Sequence, residues 1–173
     1  GNYVYCSTSQ GLEIISIADQ KNPVSVKTVA SGNSRKLTIS ATHAFLSVTG
    51  KDLVVIDITT PASASEIKTL DLLGLPKDLK IQGSYLFCAL GSPGVSIINI
   101  ATPSNPTVVN TIDTTNADGV GISNDILAIA DLSDGLRLYN VSNLGAVVFL
   151  DDALTTNETT KVAINGNFAY VAA

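Results

Sequence analysis

The chain has 173 residues, 45% of them apolar and 14% charged, with a formal net charge of −5, so it can build a core and is not a disordered chain, while its acidic balance offers no footprint for a phosphate backbone and argues against nucleic acid as a partner. Aromatics are scarce at 5%, Trp and Met are absent, and the remaining mixture of Val, Ile, Leu and Ala with Ser and Thr is the composition of β-strands. No apolar run approaches the roughly 18 residues of a spanning helix, so no membrane insertion by this segment is expected, and Gly1 stands without an initiator Met or signal region, as in a processed or trimmed chain.

In chain order the elements recur. Gly1-Asn2-Tyr3-Val4-Tyr5-Cys6 opens the first unit and returns as Ala41-Thr42-His43-Ala44-Phe45-Leu46, as Gly83-Ser84-Tyr85-Leu86-Phe87-Cys88, at 124–129 and at 166–171. A second block follows each time: Gly11-Leu12-Glu13-Ile14-Ile15-Ser16-Ile17, Asp52-Leu53-Val54-Val55-Ile56-Asp57-Ile58, Gly94-Val95-Ser96-Ile97-Ile98-Asn99-Ile100 and Gly135-Leu136-Arg137-Leu138-Tyr139-Asn140-Val141. Turns at Asn22-Pro23, Thr60-Pro61, Asn105-Pro106 and Leu144-Gly145 close that block, because Pro presets a turn φ and removes a ladder donor. A third strand alternates over 24–29 and 107–112. A fourth covers 36–40, 78–82, 119–123 and 161–165 and enters the next unit through a tight turn, most plainly Asn165-Gly166.

Four antiparallel strands every 41 or so residues match the period of a β-propeller blade. The expected fold is all-β, a β-propeller of four-stranded antiparallel blades, with one segment divided into repeat units 1–40, 41–82, 83–123 and 124–165 and the start of a fifth at 166–173. The first block is apolar at both parities, with Tyr3 and Tyr5 on one face and Val4 and Cys6 on the other, so both faces are expected to be covered. The second block resembles the Leu-Val-Ile-Val-Asp signature of LVIVD-repeat proteins, best in Leu53-Val54-Val55-Ile56-Asp57, with Ser16, Asn99 and Asn140 replacing the Asp. The resemblance implies a propeller of bacterial or archaeal cell-surface and secreted proteins, no assigned catalytic residues, and a hydrogen bond that neutral groups must make where Asp is missing.

Residues 1–7 and 166–172 both claim the second-strand position, and two strands cannot fill one slot. The expectation is therefore a partial propeller, with self-association of two copies into an eight-bladed dimer as the alternative.

The repeat also screens for chemistry. His43 is the only His and shares its column with Tyr3, Tyr85, Ile126 and Phe168, which makes it a packing residue and removes a His-based triad or metal site. Cys6 and Cys88 share a column with Leu46, Ile129 and Val171 and read as small buried hydrophobes. Asp131-Leu132-Ser133-Asp134-Gly135 and Asp151-Asp152 lack the spacing of a calcium loop, so neither metal nor cofactor is expected. Asn140-Val141-Ser142 and Asn157-Glu158-Thr159 match the glycosylation pattern, but the first falls in an expected strand.

One feature survives. The windows 35–40, 77–82, 118–123 and 160–165 hold Arg35, Lys36, Lys77, Lys80 and Lys161, half of the ten basic residues, together with Asp78 and Asp118. This strand is the innermost of a blade, so these seven residues are the candidate ligand-binding residues at a channel mouth; the plainer reading is solvated side chains whose stems cover apolar neighbours. The leading functional reading is a non-enzymatic, extracellular or cell-surface module for a protein or glycan partner. Its competitors are a channel-centred hydrolase or lyase acting on an anionic substrate through Arg35, Lys77, Asp78, Asp118 and Lys161, and a structural repeat of a surface filament.

Overall fold

The computed structural model describes residues 1–153, 155 and 158–173, and the chain divides into two compact units, Gly1–Leu75 and Pro76–Ala173. The first unit holds β1 (Tyr3–Thr8), β2 (Gly11–Ser16) and β3 (Val24–Ala30) in one sheet and β4 (Ser34–Ile39), β5 (His43–Val48), β6 (Asp52–Asp57) and β7 (Ser65–Leu70) in another. The second holds the sheets β8 (Asp78–Gln82), β9 (Tyr85–Ala89), β10 (Val95–Asn99), β11 (Thr107–Ile112) and β12 (Gly119–Ser123), β13 (Ile126–Ala130), β14 (Leu136–Asn140), β15 (Val148–Ala153), then the pair β16 (Lys161–Asn165) and β17 (Phe168–Ala172). Every sheet is an antiparallel meander of sequence neighbours, the expected blade topology.

Each inner strand pairs forward across its hairpin, so a sheet takes its inner strand from one sequence repeat and the others from the next. Three inner strands fall where the pattern placed them. The first starts early, at Ser34, because its buried hydroxyl accepts from Thr8 N at 3.0 Å and lies 2.9 Å from both Thr8 O and Gly11 O. The last hairpin turns on Gly166-Asn167 instead of Asn165-Gly166: Asn165 stays in the ladder opposite Phe168, and Gly166, at φ 57°, takes the left-handed position.

Central strands are buried on both faces, as Phe45, Leu46, Val54 and Val55 in the first unit and Leu86, Cys88, Ile97 and Ile98 in the second show. Leu12 and Ile14 pack with Leu46, Val54 and Ile56 in one core; Phe87 and Ile97 pack with Val120, Leu127 and Ile129 in another. The first block of the first unit departs from its expectation of two covered faces. Tyr3 and Val4 are 41% and 40% exposed, and Cys6 is half-buried where a buried residue was expected, because within its unit the β1 sheet has a neighbour on one side only. Cys88 is fully buried, and that burial pushes its thiol pKa far up, which makes it an inert apolar residue.

Two backbone devices repeat with the period. The ladder to the outermost strand slips at one column, between Ile14/Ile15, Val55/Ile56, Ile97/Ile98 and Leu138/Tyr139. The bulged residues, Val26, Ile67, Val109 and Leu150, are aliphatic and partly exposed, and such bulges twist an edge strand away from further pairing. The turn into the second block is left-handed throughout: Gly11 (φ 130°), Asp52 (φ 54°), Gly94 (φ 81°) and Gly135 (φ 76°). A Cβ on Gly94 would stand 2.0 Å from Ile112 O, whereas Asp52 is tolerated at its own angle and accepts from Leu72 N at 3.0 Å. Gly94→Ala is expected to lower stability by about 2 kcal/mol or more, read as a lower urea midpoint at unchanged slope, while Asp52→Gly costs less.

Candidate functional site

The start of the inner strands in the second unit gathers four of the seven candidate residues. Lys77 Nζ lies 3.1 Å from Asp118 Oδ1 and also donates to Asn116 Oδ1 at 3.1 Å. Lys161 Nζ donates to Asp118 O at 3.0 Å and stands 3.8 Å from Asp78 Oδ2. Asp78, buried, accepts from Val120 N at 3.3 Å and from Leu79 N at 3.1 Å. Two cations and two carboxylates thus answer one another across β8, β12 and β16. Gly119 permits the approach, since a Cβ there would stand 2.8 Å from Thr160 O and 3.0 Å from Lys161 Cα.

Lys80 lies further along β8 and is exposed. Arg35 and Lys36 belong to the other unit, where Arg35 is exposed at an irregular point of the β4–β5 ladder and Lys36 is half-buried.

A second cluster adjoins this one. Asp131 is fully buried in the column that holds Thr8, Val48 and Leu90. Its carboxylate accepts from Asn116 N at 2.5 Å and Thr115 N at 3.2 Å and lies 3.4 Å from Arg137 Nη1. The Arg137 guanidinium rests over the rings of Phe149 and Tyr139, 5.3 and 5.9 Å from their centroids, a cation–π arrangement that keeps its charge in partly apolar surroundings. Thr115 Oγ1 donates to Asp134. Polar contacts therefore run without a break from Arg137 through Asp131, Asn116, Lys77, Asp118 and Lys161 to Asp78. Testing Asp131 against calcium-loop spacing alone missed this; the signal was a carboxylate standing in an otherwise largely apolar column. Among the described residues no group of His, Cys, Asp and Glu is arranged to hold a metal ion.

At the other end of β8 and β12 lies a groove of about 590 Å³ with Gln82, Tyr85, Val109, Asp125 and Asn143 in its lining. Its walls are pinned by the protein: Gln82 Nε2 donates to Asn124 O, Val141 N to Asp125 O at 2.8 Å, Asn110 Nδ2 to Leu144 O at 2.7 Å, and Gly145 N to Asn143 Oδ1 at 3.0 Å. Val109 is the bulged residue of its outer strand, which no sequence pattern announced.

The LVIVD repeat matches residues 31–71, 74–114 and 158–173, more than half of the sequence. The chain belongs to the LVIVD-repeat family. No curated protein matches it in sequence. Among solved structures it is similar to the computationally designed protein Ika8 (13% identity, TM-score 0.80, covering 100% of this chain and 53% of that one). It is also similar to a functionally unknown protein from Desulfotomaculum acetoxidans (13%, 0.80, 98% and 58%) and to the Cps50 (Swd1) beta-propeller domain of Myceliophteria thermophila (12%, 0.73, 94% and 59%). At these identities the likeness shows the fold alone, a β-propeller, and the chain spans little more than half the length of these three proteins.

The LVIVD signature has a visible purpose in its last column. Asp57 Oδ1 accepts from Thr59 N at 2.8 Å, Asn99 Oδ1 from Ala101 N at 2.9 Å and Asn140 Oδ1 from Ser142 N at 2.9 Å, while Ser16 Oγ manages 3.4 Å to Ala18 N. The side chain turns the chain out of the strand by capping the N–H two residues on, and the neutral substitutes make the same bond. Asn140 is engaged in this way, also accepting from Ser142 Oγ at 2.7 Å; Asn157 of the other glycosylation pattern lies outside the described residues. His43 opens β5 half-buried, its Nδ1 2.8 Å from Thr42 Oγ1.

The bonds from Thr59, then the nearby His43, hold the Asp57 carboxyl below the usual carboxylate range. A depressed pKa contributes stability above the unfolded value, lost as pH falls through the folded one. The stability gap between wild type and Asp57→Asn is therefore expected to be flat at neutral pH and to change only below about pH 4, measured by urea titration across pH. Burial ranks the ion pairs: Asp131→Asn is expected to cost about 3 kcal/mol, since it weakens the acceptor of two N–H groups and strands Arg137. Asp118→Asn, at a part-exposed pair, should cost about 1 kcal/mol or less by thermal melting.

Proposed function

We propose that this LVIVD propeller segment is a non-enzymatic interaction module for a protein or glycan partner, displayed at the cell surface or secreted. The observation that carries the reading is the internal pairing of Lys77, Asp78, Asp118 and Lys161. A hydrolase or lyase working on an anionic substrate needs cations turned to the ligand and a carboxyl group within reach of its proton, whereas here each of these cations and carboxylates is engaged by another protein group. Their role is to lock adjacent inner strands together. Loops rich in Ser, Thr and Asn with few charges suit a recognition surface, and the extracellular setting is what family membership suggests.

The test is a pull-down together with a glycan array on the chain, alongside a hydrolase and lyase substrate screen on wild type, Asp78→Asn and Asp118→Asn. A captured partner without turnover is the expected result. Turnover that disappears in either variant overturns the reading.

A further inference from the structure

The groove between Gln82 and Asn143 differs from the charge network in one respect: its lining holds a carboxylate and two amide side chains with no cation to pair with them. Gln82 uses its amide nitrogen on Asn124 O and Asn143 uses its oxygen on Gly145 N, and both residues stand in the groove's lining. The Asp125 carboxylate and the Tyr85 hydroxyl join them in the lining. Acceptors and a donor are thus set around an aromatic ring and the aliphatic Val109, and the groove's lining contains no cation. Its volume of about 590 Å³ falls in the roughly 300–1,000 Å³ range of small-ligand sites.

Each chemical class meets this lining differently. An anion would face Asp125 with no opposing charge. A saccharide brings hydroxyls that donate to Asp125 and Gln82 and accept from Asn143 and Tyr85, and a C–H face that lies against an aromatic ring. We infer that this groove binds a neutral saccharide unit of a glycan, with Asp125, Gln82 and Asn143 reading its hydroxyls and Tyr85 supplying the ring. The inference rests on the interaction-module reading and specifies its ligand. The hydrogen bonds that hold the walls, from Asn110 to Leu144 O and from Val141 N to Asp125 O, mean that the site exists before the ligand arrives, which lowers the cost of ordering it.

The experiment uses the whole 173-residue chain and a panel of neutral, sialylated and sulfated oligosaccharides plus unglycosylated peptides, read by array and by saturation-transfer NMR. Neutral oligosaccharides are expected to bind in preference to anionic ones. Asp125→Ala, an exposed turn substitution, should weaken that binding about tenfold at unchanged melting temperature, as loss of a hydrogen bond to a charged group does; Tyr85→Phe, which keeps the ring, should weaken it less. Neutral-glycan binding unaffected by Asp125→Ala, or binding of peptides without any neutral glycan, overturns the saccharide site and leaves the interaction-module reading standing. Binding of no panel member also overturns it. Turnover of the oligosaccharides would instead overturn the interaction-module reading.

Discussion

Burial of both faces of the central strands is the constraint from which the other features of this molecule follow. A strand such as β13, with Leu127 and Ile129 in one core and Ala128 and Ala130 in another, cannot be satisfied within its own sheet; it needs a sheet on either side. Repetition answers that need, and it leaves polar chemistry only where strands begin and end. The charge network and the Asp131 cluster accordingly sit at one end of the inner strands of the second unit, and the polar groove at the other.

The two ends use their polar groups differently. At the start of the inner strands the backbones approach closely enough that Gly119 has no room for a Cβ, and lysines and aspartates from neighbouring strands meet at ion-pair distance. Partly exposed pairs of this kind add little stability individually. Their connection to buried Asp131 through Asn116 gives the set a geometric role, fixing which strand lies against which. At the far end the signature turns and the two-residue hairpins set side chains of modest charge around an open groove.

The fold was largely legible in the residues. The spacing of the Tyr3, Tyr85 and Phe168 blocks located the hairpins, and the alternation and turn residues located the inner strands, three of them to the residue. The site was legible only in part. Lys77, Asp78, Asp118 and Lys161 stood out as a concentration of charge, yet sequence counts cannot distinguish a cation that faces a ligand from one that faces a carboxylate on the next strand. Asp131 was passed over because its spacing does not suit a calcium loop, and its burial is a property of the neighbouring loop at Thr115 and Asn116. The bulges at Val26, Ile67, Val109 and Leu150 left no signal, since one aliphatic residue more in an outer strand looks the same whether it is paired or not.

The sequence by itself determined the repeat, the strand order within a blade and the LVIVD column that caps each second block, because all of these are written in local spacing and side-chain reach of two or three residues. Tertiary structure alone decided which charges neutralise one another, which carboxylate is buried, and that Gln82, Asp125 and Asn143 line one groove with Tyr85. Those outcomes depend on groups some 15 to 43 residues apart along the chain whose distance is set only when separate sheets pack.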